Sequence, residues 1–184
     1  MSKAKWRLDP VHSELGFKIR HLMISNISGF FNHFQVEGET QDDDFSTAKI
    51  QLKADMHSIH TNNVQRDEHL RNSEFFETDK HPEMVFDSTR IEKIDGENFR
   101  LFGNLTLKNI SHPVQLYVEY YGITKDPWGS ERAGFTVTGK IKRSDWGIRF
   151  GLLEAGGATL ADEVTIHSEI QLVRQSLSAS VILN

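Results

Sequence analysis

Asp9, His12 and Ser13 are the first residues of this chain whose types could do chemistry, because an acid, a base and a hydroxyl are the parts of a nucleophilic triad. A triad needs its nucleophile on a strained turn, with the base and its orienting acid arranged around it. Here the three are almost adjacent, and no Gly-x-Ser-x-Gly elbow occurs anywhere in the sequence. In a strand His12 and Ser13 would also point to opposite faces. The spacing therefore reads as structural: Asp9-Pro10 makes a turn, and the His12 and Ser13 side chains tie down the closing strands.

Two other groups carry ligating or charged side chains. His57 and His60 stand three apart with Asp55 and His69 nearby, so a metal site is conceivable. The spacing is not that of a helical His-Glu-x-x-His pair and further ligands are unplaced, so a polar connection between strand and helix is preferred, and no metal or cofactor is expected. Arg66, Asp67, His69 and Arg71 concentrate charge in one segment. They could receive a phosphate or carbonyl head group, but an Arg66–Asp67 ion pair anchoring a helix is the preferred reading. Ala155-Gly156-Gly157-Ala158 lacks the Gly-x-Gly-x-x-Gly pattern and reads as a loop rather than a phosphate cradle.

The elements that must position these groups are strands. Leu15, Phe17 and Ile19 alternate with polar neighbours, and so do Ala48, Ile50, Leu52 and Ala54. The same period of two runs through Met84 and Phe86, through Leu101, Leu105 and Leu107, and through Leu116, Val118 and Tyr120. It continues in Phe135, Val137 and Ile141 and is cleanest from Val164 to Leu172. Turn signals separate these runs: Asp95-Gly96 as a tight hairpin, Asn109 to Pro113, and Asp126 to Gly129. Repeated hairpins make the sheet antiparallel, and closure into a barrel removes its exposed edges. Residues 62 to 78 are too polar for a strand; Asn62 or Asn63 caps a short helix containing Asp67 to Arg71, after which Phe75-Phe76 returns to the core.

The chain has 184 residues, a length that one all-β domain fills. We expect a single domain over residues 1–175, with residues 176–184, ending in Val181-Ile182-Leu183, as a tail. The formal charge is −5 from 21 basic and 26 acidic residues, and no cluster of Lys and Arg gives a nucleic-acid footprint. Cysteine is absent, which removes disulfides, thiol nucleophiles and thiolate metal sites. No apolar run approaches the ~20 residues a membrane-spanning helix needs. The start, Met1 to Lys5, shows no basic-then-apolar leader, so a cytoplasmic location is expected, or a periplasmic one if a leader preceded it. Twelve phenylalanines against three tyrosines favour purely apolar rings, which could fill a solid core or line a greasy pocket.

Several motifs recur in a telling order. Trp6-x-Leu8-Asp9-Pro10-x-His12-Ser13 opens the chain, and Arg66-Asp67-x-His69-Leu70-Arg71 and His81-Pro82-x-Met84-x-Phe86 follow. Gly103-Asn104-Leu105-Thr106-Leu107 and Arg143-Ser144-Asp145-Trp146-Gly147-Ile148 complete the set. From Trp6 to about Leu172 the sequence resembles the YceI-like family of bacterial lipid-binding proteins. The resemblance implies an all-β fold, an eight-stranded antiparallel extended lipocalin-like barrel with a short helical insertion around residues 62–74. It also implies a long apolar channel that binds polyisoprenoids, quinone-like lipids or fatty-acid derivatives.

With alternation choosing the inward faces, the expected ligand-binding residues are Phe17, Ile19, Phe34, Met84 and Phe86. Leu105, Phe135, Ile141, Phe150 and Ile170 complete that set. The expected partner is one long-chain isoprenoid or acyl lipid, held for storage or transport; a homodimer is left open, and no residue is assigned a catalytic role. The rival reading is a hydrolase or isomerase of a small amphiphile with His12 or His69 as base. A third is a solid barrel acting as an interaction module through the Val181-Ile182-Leu183 tail.

Overall fold

The structure, a computed structural model, describes residues 1–152 and 159–176. The Ala155-Gly156-Gly157-Ala158 loop and nearly all of the expected tail, residues 177–184, lie outside the described residues. In chain order the strands are β1 (Lys3–Leu8), β2 (Glu14–His21), β3 (Ser25–Phe31), β4 (Phe34–Gln41), β5 (Asp44–Asp55) and β6 (Ile59–His60). Helix α1 (Val64–Arg71) follows, and then β7 (Glu83–Lys93), β8 (Asn98–Leu107), β9 (Ile110–Lys125), β10 (Glu131–Lys142) and β11 (Leu160–Arg174). Every pairing is antiparallel, and β1 bonds to both β4 and β11, which closes the sheet on itself.

These segments form eight staves, because six of the strands join in pairs. Along β11, Trp6 to Leu8 of β1 pair with Arg174 to Leu172, and β2 takes over from Glu14 opposite Glu169. β3 and β4 lie end to end against that composite stave, and β5 and β6 lie end to end against them. The interruptions are Asp9–Ser13, Asn32–His33 and Met56–Ser58, and they fall at one level, so three neighbouring staves kink together. Pro10 forces the first kink because it has no N–H to give a ladder. The Asp9 carboxylate accepts the Val11 N–H at 3.0 Å, and Asp55 accepts the His57 N–H at 2.9 Å in the third. The result is an eight-stranded up-and-down barrel with one short α-helix, as expected.

Asn63 caps α1 by accepting the Arg66 N–H at 2.9 Å. Asp95-Gly96 stands in the expected β7–β8 hairpin, where Ile94 to Glu97 make the connection and the Asp95 carboxylate accepts the N–H groups of Glu97 and Asn98. One turn differs from expectation. The β8–β9 turn is only Lys108-Asn109, both at positive φ, and Pro113 lies inside β9. Pairing of β10 with β9 reaches only Leu116, so Pro113 sits where β9 is an edge and its missing N–H breaks no ladder.

One end of the barrel is packed with rings. Phe45 sits 5.0 Å from Trp6, 5.2 Å from Tyr120 and 5.0 Å from Phe135, centroid to centroid. The buried Trp6 Nε1 donates to Thr40 Oγ1 at 3.0 Å, which satisfies the one polar atom the ring brings inside. The other end is covered by α1 with Phe75 and Phe76, and by the turn Arg143–Trp146.

Candidate functional site

The polar cluster at the start of the chain holds the barrel shut. Asp9 N–H donates to Gln171 O at 2.8 Å, and Ser13 Oγ accepts the Gln171 N–H at 3.0 Å. The Asp9 carboxylate takes hydrogen bonds from His12 Nδ1 at 2.9 Å and from Arg132, whose Nε also reaches Asp126 at 2.7 Å. Burial pushes the Asp9 pKa up, but the bonds from His12, Arg132 and the Val11 N–H outweigh it and hold the carboxyl below its ordinary value. Ser13 thus ties β2 to β11 as expected, whereas His12 stands exposed on the outside and only braces Asp9.

The other polar groups disperse. His57 meets Asp79 at 3.2 Å, His60 lies 3.7 Å from Asp67, and His69 bonds Glu74, so no three such side chains converge among the described residues. Arg66 and Asp67 do not pair with each other. Both turn to Thr61: its N–H and Oγ1 donate to Asp67 Oδ1 at 2.8 and 2.5 Å, while Arg66 donates to Thr61 Oγ1 and O at 2.8 and 2.6 Å. The anchor is real, but a threonine mediates it.

Inside the barrel lies a cavity of about 260 Å³. Its wall is built from the inward faces that alternation selects. Phe17 and Ile19 of β2, Met84 and Phe86 of β7, Leu105 of β8, Phe135 and Ile141 of β10, and Ile170 of β11 all line it. From Phe135 to Ile141, β10 alone supplies about 20 Å of wall at ~3.3 Å per residue. Two expected residues are elsewhere. Phe34 is half-buried against the core but opens onto an outer groove along the kinks, beside Pro10 and Pro82. Phe150 is 44% exposed and packs edge-on against His69 and at a tilt against Phe75, outside the cavity. Lining residues that the alternation missed include Phe31, Phe45, Phe75, Trp146 and Ile148.

Among the described residues, three lining side chains carry nitrogen or oxygen: Arg143, Trp146 and Ser168. Trp146 Nε1 donates to Leu105 O at 3.0 Å. The Arg143 guanidinium donates to Ala161 O, Ile148 O and Leu160 O at 2.8, 3.1 and 2.9 Å, so it stitches the turn to β11. Burial lowers its pKa, and Asp162 opposes that shift. Ser168 Oγ is buried with no hydrogen-bond partner. Neither His12 nor His69 lines the cavity, so the base that the hydrolase reading requires does not face it. Such a wall can hold an apolar chain by excluding water; among the described residues it presents no acid–base pair to a substrate.

Known proteins fit this geometry. A protein-family model described as a YceI-like domain matches residues 6–172. A UPF0312 protein of Pectobacterium carotovorum is 37% identical over 164 residues, covering 89% of this chain and 82% of that protein. The crystal structure of a Campylobacter jejuni YceI protein superposes with a TM-score of 0.76 at 33% identity, covering 92% of this chain and 97% of that one. A polyisoprenoid-binding domain from Saccharophagus degradans shares the fold, with a TM-score of 0.63 at 17% identity over 91% of this chain and 97% of that one. With its family motif spanning nearly the whole barrel and a relative more than a third identical, the chain belongs to the YceI-like family.

Proposed function

We propose that this barrel binds one long apolar ligand, an isoprenoid or acyl lipid, inside its cavity for storage or transport and does no chemistry on it. The observation that carries this reading is the cavity wall, apolar throughout except for a tethered tryptophan, a tethered arginine and one serine. The polyisoprenoid-binding description of the Saccharophagus degradans domain, which has the same fold, supports the ligand class.

The energetics favour a chain over a bulky ring system. Each buried methylene is worth about 0.8 kcal/mol against water, so a ligand of some twenty carbons gains well over ~10 kcal/mol gross before ordering and association costs. A volume of about 260 Å³ is near the low end of small-molecule sites and suits a thin, extended molecule. No strong head-group contact is needed for retention, and chain-length selectivity is modest because one methylene changes affinity little. The test is gentle purification, solvent extraction and mass spectrometry. A long-chain lipid recovered near one per chain is the expected result. A protein that emerges empty and ignores added prenyl and acyl ligands overturns the reading.

A further inference from the structure

The β2–β3 turn carries Leu22, Met23 and Ile24 into solvent at 50%, 58% and 85% exposure. Three consecutive large apolar side chains on a surface have no place in an ordinary hairpin tip. Their backbone makes the choice odder still. Ile24 N–H closes the turn on His21 O at 3.1 Å, and both central residues have positive φ, 49° at Leu22 and 58° at Met23. That conformation favours Asn and Gly, so folding preference alone would not put Leu-Met there.

Ile19, three residues from the tip, and its cross-strand partner Val164 both line the cavity. Leu22 N–H bonds Thr159 O at 2.9 Å, and Thr159 N–H bonds Gly151 O at 3.1 Å, which places the exposed Phe150 next along the same rim. Arg20 and Arg149, both exposed, flank these apolar residues in a chain whose formal charge is −5. Apolar tips bordered by cations match the boundary between acyl chains and anionic head groups. The opposite end carries Asp42, Asp43 and Asp44 around the β4–β5 turn, with Asp43 paired to Arg174.

We propose that the β2–β3 turn docks the barrel on the surface of an anionic lipid bilayer, with Leu22, Met23 and Ile24 seated at head-group depth. Its use, passing a chain to the adjoining cavity end, rests on the lipid-binding reading; the docking does not. The test is flotation with phosphatidylcholine vesicles containing phosphatidylglycerol, at low and high salt. Wild type should float, less so in high salt. Leu22→Asn with Met23→Gly should lower partition by roughly tenfold or more while melting at a higher temperature, because the turn receives its preferred residues. Ile24→Gln, outside the positive-φ pair, should lose part of the partition on an unaltered backbone. Trp128→Ala, which removes the exposed tryptophan of the β9–β10 turn, should change nothing.

A wild type that stays unbound, or variants at Leu22, Met23 and Ile24 that float as well as it does, overturns the proposal. So does a dimer that the double variant dissolves without any vesicle binding, since the patch would then be a self-interface. A protein that floats but yields no lipid on extraction fails the carrier reading alone.

Discussion

Ser168 is 3% exposed on β11, faces the cavity, and has no partner for its hydroxyl. A buried hydroxyl without a hydrogen bond costs on the order of 1–3 kcal/mol. Ser168→Ala should therefore raise stability by about 1 kcal/mol in urea denaturation, with a midpoint at or below the wild type's counting against that account of the wall. Asp9 gives the opposite case, a carboxylate whose partners are all present. A group held below its unfolded pKa contributes stability above about pH 4 and loses it as pH falls through the folded value. Asp9→Asn should be less stable than wild type at pH 7, and the two melting curves should converge below about pH 4. Comparing the two isolates Asp9 from Asp126 and Asp44, whose pKa values are also held down, by Arg132 and by Ser46 respectively. The spacing of Asp9, His12 and Ser13 already marks them as structural. The link from Arg66 and Asp67 to Thr61 escapes the sequence because it depends on how the chain folds back before α1.

Alternation identifies the inner face of a strand only while the strand stays regular. It places β2, β7, β8, β10 and β11 correctly and stumbles where the ladder slips. A register shift between Glu39 and Gln41 accompanies the change of parity that points Phe45 inward, although Ala48 and Ile50 on the same strand set the opposite parity. Phe34 lies on the inner parity of β4, with Val36, but it stands at the kink where the staves part, so it meets the outer groove. Phe150 follows a short turn with no period at all, and nothing in its neighbourhood signals a direction. Close packing between strands has its own requirement. A Cβ on Gly103 would strike the Phe86 ring and come within 2.5 Å of Asp87 O, which is backbone and cannot swing aside. Gly103→Ala should destabilise the barrel by about 2 kcal/mol, read by the denaturation midpoint. An unchanged midpoint would mean that β7 and β8 lie farther apart than described.

At the scale of the whole molecule, eight staves set a diameter at which side chains either fill a barrel or leave room for one ligand. The sequence leaves that choice open, because the same phenylalanines serve both outcomes. Here the rings around Phe45 fill one end, and about 260 Å³ remains between them and the Arg143–Trp146 turn. Phe45→Ala should cost roughly 3–5 kcal/mol of stability and let a longer chain enter, seen as a shift of the preferred ligand length in binding assays. No helix among the described residues is long and apolar enough to cross a membrane. Whether the interior holds an apolar chain along its length is read by titrating the protein with geraniol, farnesol and geranylgeraniol. One ligand should bind per barrel, with affinity rising by roughly tenfold or more with each five-carbon unit until the chain fills the cavity. Affinity that stays flat across the series, or no binding by any member, would contradict it.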